Sequence, residues 1–250
     1  MFRAIVFSAV PVGIITGIAI TLMQMVGTEP LILKAETYEN AAPAVPEAAS
    51  PAEHAHAPGV AAHDHAATAT DEAAGHDHGD GWAPADGIER TAYTLGANVL
   101  TAIGYSLVLT ALLSMTSLQH NWRTGLFFGV AGFASVMLAP MVGLPPELPG
   151  SPAAELAARQ TWWIATTLAT AGGIGLLLLR REPWAAVLAI VLIAAPHVIG
   201  APLPPTGQEP LVPLELERRF IVVATVTSFV FWALLGALSG TFLKRLSPSA

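Results

Sequence analysis

"WAAVLAIVLIAAPHVI", Trp184 to Ile199, is a run of sixteen residues without a charge that closes on Pro196 and His197. As an α-helix it measures about 24 Å, against the roughly 30 Å hydrocarbon core of a bilayer. Its reading decides the fold, because the other apolar blocks are each long enough to cross on their own. They lie near residues 4–26, 94–118, 125–143, 161–179 and 220–243. Hydrophobic mismatch costs only fractions of a kcal/mol per Å, so the short segment is expected to span as well. The expected architecture is an all-α polytopic membrane helix bundle of six spans, or five if 184–199 is re-entrant.

Composition agrees. Charged residues are 12% of the chain and hydrophobic ones 53%, where an ordinary soluble domain carries about 25% charged residues. Ala4 to Val26 is charge-free, longer than the core of a secretory signal, and no small-x-small cleavage site follows it, so it reads as a retained span. Three regions result: 1–40, a first transmembrane helix with an acidic exit; 41–90, a loop rich in His, Asp, Ala and Pro; and 91–250, a bundle of five hydrophobic segments. A net charge of −7, with no basic run beyond two residues, argues against nucleic acid as a partner. Without cysteine there is no disulfide and no thiolate metal site. A metal would have to be held by imidazole, carboxylate, thioether or backbone oxygen, donors that suit Co, Ni or Zn. There is no phosphate loop, no HExxH and no credible triad, so the chain is expected to be neither an enzyme nor its own ATP engine.

Basic residues set the expected orientation. With six spans, Arg3, Arg123, Arg180, Arg181, Lys244 and Arg245 fall on the cytoplasmic side, in short loops and at the termini. Every Asp and Glu except Glu182 then faces outward. The outer face is acidic and histidine-rich, the face a cation meets first.

That face carries "EHAHAPGVAAHDHAATATDEAAGHDHGDGW", Glu53 to Trp82, with six of the eight histidines. They form three pairs: His54 and His56, His63 and His65 around Asp64, and His76 and His78 around Asp77. Low hydrophobicity predicts that the segment does not fold alone, yet two such pairs can close around one ion, and the aspartates add attraction. Histidine-rich tracts are a metal-binding composition; the plain alternative is a polar spacer. Such a loop would concentrate a metal without selecting it.

Other candidates sit at the membrane edge. Glu29 and Glu36 are seven apart and share a face if the first helix continues past Pro30; they could pass a cation inward or simply be a solvated helix end. His197 follows Pro196, so an imidazole and a kinked backbone could share one ion, or the ring could bond a neighbouring helix. Met137 and Met141 read as core filling. The pairs Gly13/Gly17, Gly125/Gly129 and Gly236/Gly240, and Ala165/Ala169/Gly173, read as close helix contacts. Trp82, Trp122, Trp162, Trp163 and Trp184 lie at block edges, where interfacial anchors belong. Two Pro-rich loops echo each other, "PPELPGSPAAELAARQ" and "PPTGQEPLVPLELERRF".

Several of these stretches together are similar to one family. "EPLILKAETYE", the histidine loop, "WAPADGIERTAYTLGANVL", "GLPPELPGSPAAELAARQTWW", "PHVIGAP" and "FVFWALLGALSG" cover almost the whole chain, which resembles the CbtA family of predicted cobalt transporter subunits. The resemblance implies a bacterial inner-membrane protein linked to vitamin B12 metabolism, with about five spans. It also implies a small single-span, histidine-bearing CbtB-like subunit as partner. It brings no ligand set with it. The expected function is uptake of a divalent transition metal, Co2+ first and Ni2+ or Zn2+ next. The alternative is an accessory or sensor protein that delivers ions to another permease. The lipid bilayer is a further partner, and an oligomer of the chain is left open.

Overall fold

The computed structural model describes residues 2–41 and 84–246. These form seven helices and no strand: α1 Phe2–Val26, α2 Glu29–Ala41, α3 Ile88–Ser114, α4 Trp122–Met141, α5 Leu156–Leu179, α6 Pro183–Ile199 and α7 Leu214–Leu246. Five of them are long and apolar enough to cross a membrane, and α6 is the shorter apolar helix. Large apolar side chains such as Leu22, Leu100, Val108, Leu168, Ile190 and Val222 face outward, as lipid requires. All backbone polar groups within a hydrocarbon layer must be satisfied internally, which helices achieve alone.

Local chemistry sets the helix ends. α1 stops at Gly27 and Thr28, and α2 begins at Glu29 with Pro30 in its first turn, where a missing N–H is no loss. α3 starts six residues before the hydropathic block and ends at Ser114, four before the block ends. His120 Nε2 then lies 3.2 Å from the Leu113 carbonyl, which fixes the turn. Asn121 caps α4, its side-chain oxygen accepting from Arg123 N at 2.9 Å and Thr124 N at 3.0 Å. Glu155 caps α5 by accepting from the Ala157 and Ala158 amides. Those two bonds hold its carboxyl below the usual carboxylate range. α4 widens to a π-helix over Ala134–Leu138, just before Pro140, whose ring removes one donor from the ladder.

The helices pack antiparallel in pairs through the expected small residues. A Cβ on Gly125 would meet the backbone of Gly236 and Gly240, and one on Gly129 the backbone of Trp232 and Gly236. Gly13 and Gly17 of α1 lie as close to Ile103 and Val99 of α3. Gly173 of α5 abuts Ile193 and the Ala189 carbonyl of α6. A core of Val12, Ala102, Leu109, Phe133, Trp232 and Leu235 joins α1, α3, α4 and α7, and Met137 packs against it. The α5–α6 hairpin attaches beside α4.

Two clusters mark the ends of the bundle. Ala4, Leu113 and Leu243 pack together at one end. Leu31, Ala35, Leu148, Val212, Leu216 and Phe220 pack at the other, beneath α2. Ala4 of α1 and Leu243 of α7 therefore lie at the same end of the bundle, and the helices between them traverse it an even number of times. α6 supplies the return: it runs back along α5 until the Pro196 carbonyl accepts from Trp162 Nε1 at 3.2 Å. The two Pro-rich loops meet at the α2 end, where Leu211 N donates to the Gly150 carbonyl. One expectation is corrected. Trp122 and Trp184 are exposed as anchors should be, but Trp162 is buried in the α5–α6 hairpin, because its indole N–H finds a carbonyl inside the protein.

Candidate functional site

The break at Gly27 and Thr28 turns α2 away from α1, and α3 enters beside the corner. Between them lies a chamber of about 210 Å³, lined by Thr21, Gln24, Met25, Thr28, Glu29, Ile32, Arg90, Thr91 and Thr94. Its floor is a polar contact between α1 and α3. Asn98 Nδ2 donates to Gln24 Oε1 at 2.6 Å and to Thr21 Oγ1 at 3.0 Å, and Thr21 in turn donates to the Gly17 carbonyl. The α3 wall presents hydroxyls whose hydrogens are already engaged: Thr91 Oγ1 donates to the Gly87 carbonyl and Thr94 Oγ1 to the Arg90 carbonyl. Both keep lone pairs to offer. Thr28 is only 9% exposed, and its hydroxyl has no hydrogen bond among the described residues.

Charge in the chamber is lopsided. Arg90 Nη2 lies 2.6 Å from Glu36 Oε1, Arg90 Nη1 lies 3.3 Å from Glu36 Oε2, and Nη1 also lies 3.0 Å from Asp86 Oδ1. Two carboxylates therefore answer the one guanidinium. Glu29, on the chamber wall, has no ion pair among the described residues, so its charge is left over. The chamber wall mixes hydroxyl, amide and carboxylate groups with a larger apolar share, and the carboxylates of Glu29, Glu36 and Asp86 around it outnumber the Arg90 guanidinium.

The predicted site residues are distributed unevenly. Glu29 and Glu36 both lie on α2; the first lines the chamber and the second holds Arg90. His197 lies elsewhere, near the end of α6, its ring edge-on to Trp162 with centroids 6.0 Å apart. The Pro196 carbonyl beside it accepts from Trp162 Nε1 and from Gly200 N at 3.0 Å. His54, His56, His63, Asp64, His65, His76, Asp77 and His78 lie outside the described residues. Among the described residues no three metal-ligating side chains are grouped. The sequence reading missed Gln24, Thr28, Arg90 and Asn98. Gln24 and Asn98 carried a signal, as amides inside apolar blocks; Arg90 was legible only as a charge at a block edge. A second cavity, about 720 Å³, is an open groove on the α5–α6 hairpin with mostly apolar walls.

An all-helical bundle with five helices long and apolar enough to cross a membrane belongs to the class of polytopic helical membrane proteins. Residues 2–244 match the family described as "Probable cobalt transporter subunit (CbtA)", and the chain belongs to that family. No curated protein and no solved structure matches the chain. Membership carries the family's description, that of a transporter subunit whose cargo is a transition metal ion.

Proposed function

We propose that the chain takes up Co2+ across the bacterial inner membrane, from outside to cytoplasm, in support of vitamin B12 metabolism. Ni2+ and Zn2+ are poorer cargo. The α2 end faces outward and both termini are cytoplasmic, an orientation supported by the basic residues in the short loops of the opposite side. His54, His56, His63, His65, His76 and His78, with Asp64 and Asp77, capture metal and raise its local concentration. Glu29 is the first carboxylate to receive it. Glu36 acts through Arg90, whose charge it keeps from repelling the ion. His197, engaged with Trp162, stands outside this first step and is assigned to a later one. A small single-span histidine-bearing CbtB-like subunit completes the transporter.

The observation that carries this reading is the negative chamber at the corner where α2 and α3 bracket the histidine-rich segment. Its test is metal uptake into proteoliposomes, with and without the CbtB-like subunit. Deleting residues 53–80 should raise the metal concentration needed for uptake and leave the maximal rate nearly intact. Complete loss at saturating metal would make the loop part of the pathway and overturn the assignment. Binding without uptake under either condition would favour an accessory protein that passes ions to a different permease.

A further inference from the structure

The chamber is unlike a coordination cage. Among the described residues its lining brings one carboxylate, Glu29, one thioether, Met25, and no imidazole. A bare first-row dication needs four to six inner ligands, which this wall does not present. The space admits a different occupant, an ion that keeps its water shell: a single water needs only about 10–15 Å³ of such volume, and this partly open cavity offers about 210 Å³.

The chemistry of the wall fits the same occupant. Waters bound to a cation direct their hydrogens outward, so the complementary surface is made of acceptors. The Thr91 and Thr94 hydroxyls have donated to backbone carbonyls and can only accept. The Glu29 carboxylate is an acceptor, and the Thr28 hydroxyl makes no hydrogen bond among the described residues. Arg90, the cation on this wall, is turned into Glu36 and Asp86. Small octahedral dications such as Mg2+ shed water reluctantly and are often held through it by one or two carboxylates. A water-mediated contact is nearly as favourable as a direct one.

We propose that the chamber binds the metal as an intact hydrated dication, held through its water shell by Glu29, Thr28, Thr91 and Thr94. The inference rests on the transport reading above and specifies the form in which that cargo is received. Selection at this step is then by charge, size and hydration. Octahedral dications of similar radius compete equally, and the ion is stripped of water further along the path.

The probe is hexaamminecobalt(III). Its six ammonia ligands do not exchange, and its N–H groups point outward as the hydrogens of a hydrated ion do. Histidine cannot displace them, so imidazole ligation by the histidine-rich segment is silent to it, and the contribution of that segment's carboxylates is unchanged by substitutions in the chamber. Equilibrium binding to the protein in nanodiscs should show one saturable site. Removing the charge with Glu29→Gln should weaken it about tenfold, as expected for one carboxylate facing a cation across a water layer. Thr28→Val should weaken it as well, and the exposed Glu209→Gln should not. Absence of saturable binding, or equal binding by Glu29→Gln and wild type, overturns the proposal. If Glu29→Gln does not fold, Thr28→Val decides in its place. The two readings fail separately: Co2+ uptake without hexaammine binding removes the hydrated-ion site, whereas hexaammine binding without uptake removes the transport assignment.

Discussion

Arg90 and Glu36 meet at 2.6 Å across 54 positions of sequence, and their contact closes the base from which the intervening segment departs. Both side chains are about one-third exposed, so the pair itself should contribute on the order of 0.5–1 kcal/mol. Its electrostatic consequence for the chamber is larger. Glu36→Gln leaves Arg90 with Asp86 alone and adds net positive charge beside Glu29. Arg90→Gln removes the competing cation. The first substitution should weaken cation binding in the chamber and the second should strengthen it, each several-fold at low salt and less at high salt. Binding isotherms of the two variants check this. If both bind more weakly, the pair has only a structural role.

How much of this was legible in the sequence depends on which force acts. Hydropathy located every bundle helix, because the block lengths answer to the thickness of lipid. It missed the start of α3 by six residues, because Glu89, Arg90 and Thr91 are polar: Glu89 and Thr91 bond back to Ala85 and Gly87, and Arg90 pairs with Glu36 of α2, contacts that no window average contains. The glycine pairs were legible as spacing, and their partners were not: nothing in Gly125/Gly129 announces Gly236/Gly240. Glu29 and Glu36 looked equivalent, seven apart on one helix face. Their roles divide only when α3 brings Arg90 to one of them. Trp162 was misread for a similar reason, since an edge position does not say whether a carbonyl waits inside.

The shared cluster of Ala4 and Leu243 makes a topological prediction. In this naturally cysteine-free chain, Phe2→Cys and Leu246→Cys should respond alike to a membrane-impermeant thiol reagent, both protected until lysis. Ala69→Cys should label in intact cells. Labelling of Leu246→Cys but not Phe2→Cys would mean five crossings, with α6 failing to return across the bilayer.

Glycine contacts offer a stability test with an internal control. At Gly125 and Gly236 a methyl group would collide with the facing backbone, which cannot move aside as a side chain can. Gly125→Ala or Gly236→Ala should cost about 1–3 kcal/mol. Gly104 meets nothing within 4 Å, and alanine is the better helix former by about 0.5–1 kcal/mol, so Gly104→Ala should be neutral or stabilising. Unfolding midpoints in detergent would rank the three. Equal effects at all three positions would deny the close α4–α7 contact.

Proton competition separates capture from reception. Imidazole must be neutral to ligate a metal, and histidine ordinarily titrates near pH 6.5. As pH falls from about 7 to 5, six loop histidines become cations and should release Co2+, so affinity for the free ion drops steeply through that window. Among the described residues the chamber lining includes no imidazole, and hexaamminecobalt(III) offers nothing for an imidazole to displace. Its binding should therefore not follow the steep loss seen for Co2+. Calorimetric titrations of both probes on the same full-length protein would show two different pH profiles. If Co2+ affinity instead persists unchanged at about pH 5, carboxylates are the capturing ligands and the histidine pairs are a spacer. If both probes lose binding together, the chamber and the histidine segment form one site, and the division of labour between them is wrong.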